Sequence, residues 1–112
     1  MIINIDKKDD YDIIHINGEF NVSVLSEFEK TINVYLENPK HTIIDFQNIT
    51  FIDSSAIGLL LVFSAKFKKM KKNISIANVN EDIEGIFNMM GFKMKFKIYE
   101  TIEKAAFKIT EL

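Results

Sequence analysis

The sequence has 112 residues, 47% of them hydrophobic, with ten phenylalanines and a formal net charge of −2. That length points to one domain over residues 1–112, and the aromatic content can fill a core, which excludes a disordered regulator. The absence of cysteine removes disulfides, thiolate metal sites and a cysteine nucleophile together, while charges of both signs lack the field of a nucleic-acid binder.

Ile2 to Ile5 and Tyr11 to Ile16 are short apolar segments separated by the turn-forming run Lys7-Lys8-Asp9-Asp10. They predict an antiparallel hairpin, with Gly18 ending the second strand. The period then changes: Leu25, Phe28, Ile32, Tyr35 and Leu36 recur at helical spacing, and Asn38-Pro39 closes that helix. Thr42 to Phe46 carries only one charge, Asp45, and predicts a strand covered on both faces. Ala56 to about Lys71 predicts a second helix, apolar all round at first and lysine-rich later. Ile74, Ile76 and Val79 predict another strand. In a third helix Ile83, Ile86, Phe87 and Met90 share a face, capped by Asn80 and stopped at Gly91. Phe96 to Tyr99 is a last strand, and Thr101 caps a terminal helix striped by Ile102, Ala105, Ala106 and Ile109.

Strands alternating with helices imply right-handed crossovers and an α/β fold with a mixed, mostly parallel sheet of four to five strands, an antiparallel N-terminal hairpin and about four helices. No apolar run approaches the roughly 18 residues that span a bilayer, and Met1 to Lys8 lacks a basic region followed by a long apolar one. The chain is expected to be soluble and cytoplasmic.

The catalytic inventory is thin. His15 falls in a predicted strand and His41 in a loop beside Pro39, neither at metal-ligand or triad spacing, and the four glycines stand singly rather than in a phosphate loop. Asp9-Asp10 lies in a turn, and Glu27 and Glu29 lie on a solvated helix flank. No enzymatic activity, cofactor or metal is expected. Lys66, Lys68, Lys69, Lys71 and Lys72 form a basic run that would suit nucleic acid or an acidic membrane. A helix C-terminus favoured by the macrodipole, with Phe67 turned inward, accounts for the same residues. The acidic balance of the rest favours that second reading, so neither nucleic acid nor membrane is expected as a partner.

The informative segment is Phe51-Ile52-Asp53-Ser54-Ser55-Ala56-Ile57-Gly58-Leu59-Leu60-Leu61. Asp53, Ser54 and Ser55 are all good helix caps, more than one helix needs. Leu59 through Phe63 offer more apolar surface than a single sheet covers, so part of it is expected to face a partner. A phosphate added at such a helix start would meet the dipole and free N–H groups, altering the surface without unfolding the domain.

Asp53-Ser54-Ser55-Ala56-Ile57-Gly58 resembles the signature of STAS domains, the family shared by anti-sigma factor antagonists and sulphate transporter tails. Gly18-Glu19-Phe20 resembles the family's turn after the second strand, Ile43-Ile44-Asp45-Phe46 its central strand, and Gly91-Phe92-Lys93 through Phe96-Lys97-Ile98-Tyr99 its last loop and strand. The resemblance implies a stand-alone antagonist whose Ser54 is phosphorylated by an anti-sigma factor serine kinase of the histidine-kinase ATPase fold. The unphosphorylated form would bind that kinase and free the sigma factor, and a metal-dependent serine phosphatase would reset the cycle. The expected partner surface comprises Asp53, Ser54, Ser55, Gly58, Leu59 and Val62 with Glu19 and Asn21 of the neighbouring turn. Asn21 stands where the family usually has aspartate and Ala56 where it has glycine, so position 21 offers an amide and position 56 less backbone freedom. The alternative is a docking or structural subunit of a transporter, such as a lipid-transport complex. A neighbouring anti-sigma kinase gene, or a permease with its ATPase, would tell the two apart.

Overall fold

Residues 2–92 and 95–109 are described by the structure, a computed structural model; Lys93, part of the Gly91-Phe92-Lys93 loop read from the sequence, lies outside them. The hairpin forms from β1 (Ile2–Lys7) and β2 (Tyr11–Phe20), with Ile3 opposite Ile16 and Ile5 opposite Ile14. A 3₁₀ turn at Val22–Val24 leads into α1 (Leu25–Tyr35). There follow β3 (His41–Ile52), α2 (Ser54–Lys69), β4 (Ile74–Ala77), α3 (Glu81–Met89), β5 (Lys97–Tyr99) and α4 (Ile102–Ile109). The sheet runs β1-β2-β3-β4-β5, its first pair antiparallel and the other three parallel. This is the expected α/β plan.

Each crossover steps one strand onward in the same direction, so right-handed connections place α1, α2 and α3 on one face. Ile14, Ile44, Ile76 and Ile98 form a register row across that face, joined in one core by Phe28, Ile32, Leu60, Phe63 and Phe87. On the other face α4 lays Ala105 and Ile109 against Ile43 and Ala77. The central β3 is therefore covered from both sides, which explains its run of apolar residues. Asn80 and Thr101 cap as expected, their side chains accepting from the N–H groups of Ile83 (2.9 Å) and Lys104 (3.1 Å). Among the described residues, no helix is long and apolar enough to cross a membrane.

Three boundaries differ from the sequence reading. Gly18 does not end β2: its φ of 106° accompanies a register shift between Gly18 and Glu19, after which pairing resumes as Glu19 with Phe51 and Phe20 with Ile52. Glycine adopts that backbone without a Cβ clash, so β2 continues past it, while β3 carries the extra residue, Thr50, as a bulge. β3 correspondingly extends past Phe46 through Gln47-Asn48, with Ile49 and Ile52 returning to the core. Val79 falls outside β4, because Asn78 turns the chain in the left-handed region with φ 63°.

Candidate functional site

The ends of β2 and β3 and the start of α2 meet at one edge of the sheet. Register pairing brings Phe20 beside Ile52, and the Asp53 N–H donates to the Phe20 carbonyl (3.3 Å), so the helix starts where the two strands finish. Phe20 then packs at a tilt against Phe28 (4.7 Å between centroids, 52° between planes), which meets Phe63 edge-on at 5.8 Å. That aromatic chain clamps the edge to α1 and α2 and fixes the geometry above it.

Within the Asp53-Ser54-Ser55 triplet the three side chains have different tasks. Asp53 is the N-cap: Oδ1 accepts from the Ala56 N–H (3.0 Å) and the Ser55 hydroxyl (2.6 Å), and Oδ2 accepts from the Val22 N–H (3.0 Å). The bond from Ser55 lowers its carboxyl most, burial opposes it, and the bonds from Ala56 and Val22 tip the balance to hold it below the usual aspartate range. Asn21 caps the 3₁₀ turn instead, its Oδ1 accepting from the N–H (3.1 Å) and hydroxyl (2.6 Å) of Ser23. The amide thus has an internal duty at the position where the sequence reading noted its departure from aspartate. Ser55 is half-buried with its hydroxyl committed to Asp53. Ser54 is exposed, and its hydroxyl has no hydrogen-bond partner among the described residues.

The structure spreads the remaining sequence-derived positions unevenly. Gly58 and Val62 are exposed one and two turns beyond Ser54 on the same stripe of α2. Val62 is 49% exposed, whereas Leu60 and Phe63 are buried and Leu59 and Leu61 pack against the core. Of the apolar run expected to face a partner, Val62 alone is substantially open, because the three-helix face absorbs more of α2 than a single sheet would. Glu19 is exposed but belongs to β2, paired with Phe51 on the face away from Phe20 and Ile52. Two apolar residues missing from the expected surface also open at this edge: Val22, 69% exposed, and Phe51, 45% exposed. Strand alternation was the available signal for Phe51, since its neighbour Ile52 is a core residue.

The STAS domain family model matches residues 3–105. This chain belongs to the STAS domain family. A STAS-domain containing protein of Pseudomonas aeruginosa is 29% identical over 85 residues, which cover 76% of this chain and 84% of that protein. The anti-sigma-B factor antagonist of Staphylococcus epidermidis is 26% identical over 96 residues, covering 85% and 89% of the two chains. The crystal structure of the Thermotoga maritima protein TM1081 superposes with a TM-score of 0.86 at 21% identity over 96% of this chain and 93% of that one, a likeness of fold.

Elsewhere in this STAS domain, buried Asp45 accepts from Asn78 Nδ2 (2.9 Å) and the Gln47 N–H (3.0 Å) and pairs with His15 Nδ1 at 2.7 Å. Burial pushes its carboxyl up, but the bonds from Asn78, Gln47 and His15 outweigh that and hold it below the ordinary range. The cluster pins the bend after β4 to the middle of the sheet. Sequence spacing gave no sign of it, since its members lie about 30 residues apart and meet only through the parallel register, which sets His15 opposite Asp45.

Proposed function

We propose that this STAS domain is a partner-switching anti-sigma factor antagonist of the cytoplasm, acting by binding and not by catalysis. Unphosphorylated, it binds an anti-sigma factor serine kinase through the edge around Ser54 and so releases a sigma factor. Phosphorylation of Ser54 by that kinase ends binding, and a metal-dependent serine phosphatase restores it. One observation carries the reading: in a triplet of three potential caps, Asp53 caps the helix, Ser55 donates its hydroxyl to that carboxylate, and Ser54 is left exposed with no partner for its hydroxyl among the described residues. Family membership and the naming of the Staphylococcus epidermidis relative support it.

The docking surface joins Ser54, Gly58 and Val62 of α2 to Val22 and Phe51 of the strand ends, with Asp53, Ser55, Asn21, Glu19 and Leu59 framing it. A phosphoserine carries about −1.5 to −2 charges. Pressing that charge unpaired against an apolar partner costs several kcal/mol, and each 1.4 kcal/mol is roughly a tenfold loss of affinity. Phosphorylation should therefore weaken binding by about a hundredfold or more. The test incubates the protein with its cognate anti-sigma kinase and ATP, maps the modified residue by mass spectrometry, and titrates both forms against the kinase. Ser54→Ala should resist modification and bind continuously. Modification at Ser55, or equal affinity of the two forms, would overturn the proposal. Stable capture by a permease–ATPase pair that ignores Ser54→Ala would favour a transporter docking subunit.

A further inference from the structure

At the opposite edge of the sheet, where the parallel strands begin and α2 ends, the lysine run gains companions that the sequence did not associate with it. Lys68, Lys71 and Lys72 from the end of α2 line a groove of about 610 Å³ together with His41 at the start of β3 and Lys95 and Lys97 beside β5. Among the described residues no carboxylate lines this groove. Among the described residues none of these five lysines makes a salt bridge, although Lys8, Lys40 and Lys104 elsewhere all do. On a chain with a formal net charge of −2, five lysines around one concavity form a strong local field. His41 registers it: burial first, and then the Lys72 ammonium, hold the imidazole below its usual pKa. Its Nδ1 accepts from the Asn73 N–H at 3.0 Å, so the neutral ring carries its proton on Nε2 as one more donor.

The macrodipole of α2 does not explain all of this charge. Lys95 and Lys97 belong to another segment, and α2 already ends in a complete Schellman motif. The Lys72 N–H donates to the Phe67 carbonyl (2.9 Å) and the Lys71 N–H to the Lys68 carbonyl (3.1 Å). In that motif Lys71 occupies the left-handed position with φ 58°, where glycine is the relaxed residue. A lysine held there against backbone preference, with its side chain lining the groove, indicates a use for its charge.

We propose that this groove binds a linear polyphosphate. The class follows from the donors. The chain contains no arginine, so planar bidentate recognition of a carboxylate is absent, and lysines act as separate point charges suited to successive phosphoryl groups. Five of them around a groove of about 610 Å³ outnumber what a single phosphate can engage. Among the described residues the groove lining has no exposed Phe, Tyr or Trp, Phe96 being buried, and leaves only the part-buried His41 ring for a base, so the phosphate chain is the part chiefly recognised whether it is free or attached to a nucleoside. The edge lies across the sheet from Ser54, so binding here leaves the switch surface open.

Isothermal titration of the full chain with tripolyphosphate tests this, with ATP, a short DNA duplex and phosphatidylglycerol vesicles as parallel arms at equal phosphate concentration. Expected are one site, affinity falling steeply as salt rises from about 50 to about 200 mM, and ATP no tighter than tripolyphosphate. Lys71→Gly should weaken binding about threefold while raising the thermal midpoint, a pair of opposite effects that a purely structural lysine would not give. Lys71→Gly combined with Lys97→Ala should weaken it about tenfold. Lys30→Ala, on α1, should leave binding unchanged. Absence of tripolyphosphate binding, equal losses for Lys30→Ala and Lys71→Gly, or tighter retention by DNA or vesicles would each overturn the proposal.

Discussion

Replacing Asp53 by alanine should destabilise this domain more than replacing either serine beside it. The carboxylate accepts from the Ala56 N–H, the Ser55 hydroxyl and the Val22 N–H at 3.0, 2.6 and 3.0 Å. Loss of an N-cap costs about 1 kcal/mol, up to about 2. The bond to Val22 adds a tie between the turn after β2 and the start of α2, so a total of about 2 kcal/mol is expected. Unfolding entropy for a chain of this length converts that into a fall of about 8 °C in thermal midpoint. Asp53→Asn keeps one acceptor but loses the second, and should fall about half as far. Ser54→Ala should stay within about 0.5 kcal/mol of the parent, because it breaks no internal bond.

The assay is thermal unfolding by circular dichroism across pH. The sign follows from the depressed pKa of Asp53: its contribution is complete above the unfolded aspartate value of about 3.9 and disappears as pH falls through the lower folded value. The gap between parent and Asp53→Ala should therefore be constant near neutrality and narrow below about pH 4. A midpoint for Asp53→Ala within about 2 °C of the parent, or a Ser54→Ala loss as large, would refute the division of roles at the helix start.

Gly58→Ala should raise stability by about 0.5–1 kcal/mol, since an added Cβ meets nothing within 4 Å, and should weaken a partner that approaches the α2 backbone there; a calorimetric midpoint that fails to rise would contradict the first half. Asp45→Asn should cost about 1.5–3 kcal/mol in urea unfolding at neutral pH. It should also flatten the acid side of the stability profile, because the depressed Asp45 pKa supplies stability above about pH 3.9 that protonation removes on the way down; an unchanged acid slope would show that other carboxylates dominate.

Elements announced by periodicity were legible in the sequence. α1, α3 and α4 each declare an apolar stripe, and Asn80 and Thr101 mark their helix starts correctly because capping is a local bond. What long-range register decides was not legible. The extension of β3 beyond Phe46 passes through Gln47-Asn48, which reads as a turn in isolation and is held as strand, bulges included, by pairing with the end of β2. The His15, Asp45 and Asn78 cluster and the lysine groove depend on parallel strands aligning residues far apart in the chain. At the candidate site, the sequence identified three caps without saying which would be spare. That distinction arises from the turn at Val22, whose N–H claims the second oxygen of Asp53 and fixes the carboxylate facing Ser55.

This fixation bears on why a switch can sit on a helix start without loosening the fold. A phosphate on Ser54 would gain about 0.3–1 kcal/mol from the positive end of the α2 dipole. It would also meet the neighbouring Asp53 carboxylate, and repulsion between exposed charges is about 1 kcal/mol per pair of unit charges at about 4 Å in water, or about 1.5–2 kcal/mol for a phosphoserine. The two effects oppose each other, and no internal hydrogen bond of the Ser54 hydroxyl among the described residues has to break first. Had Ser55 been the acceptor, its bond to Asp53 would be lost and a dianion would be attached to the oxygen that now sits 2.6 Å from the Asp53 carboxylate, loosening the cap. Modification at Ser54 therefore changes what the edge can bind far more than whether the edge is folded. The same reasoning makes Ser54→Asp a partial mimic, since its single charge is about half that of a phosphoserine and should give an affinity between those of the unmodified protein and a protein phosphorylated at Ser54.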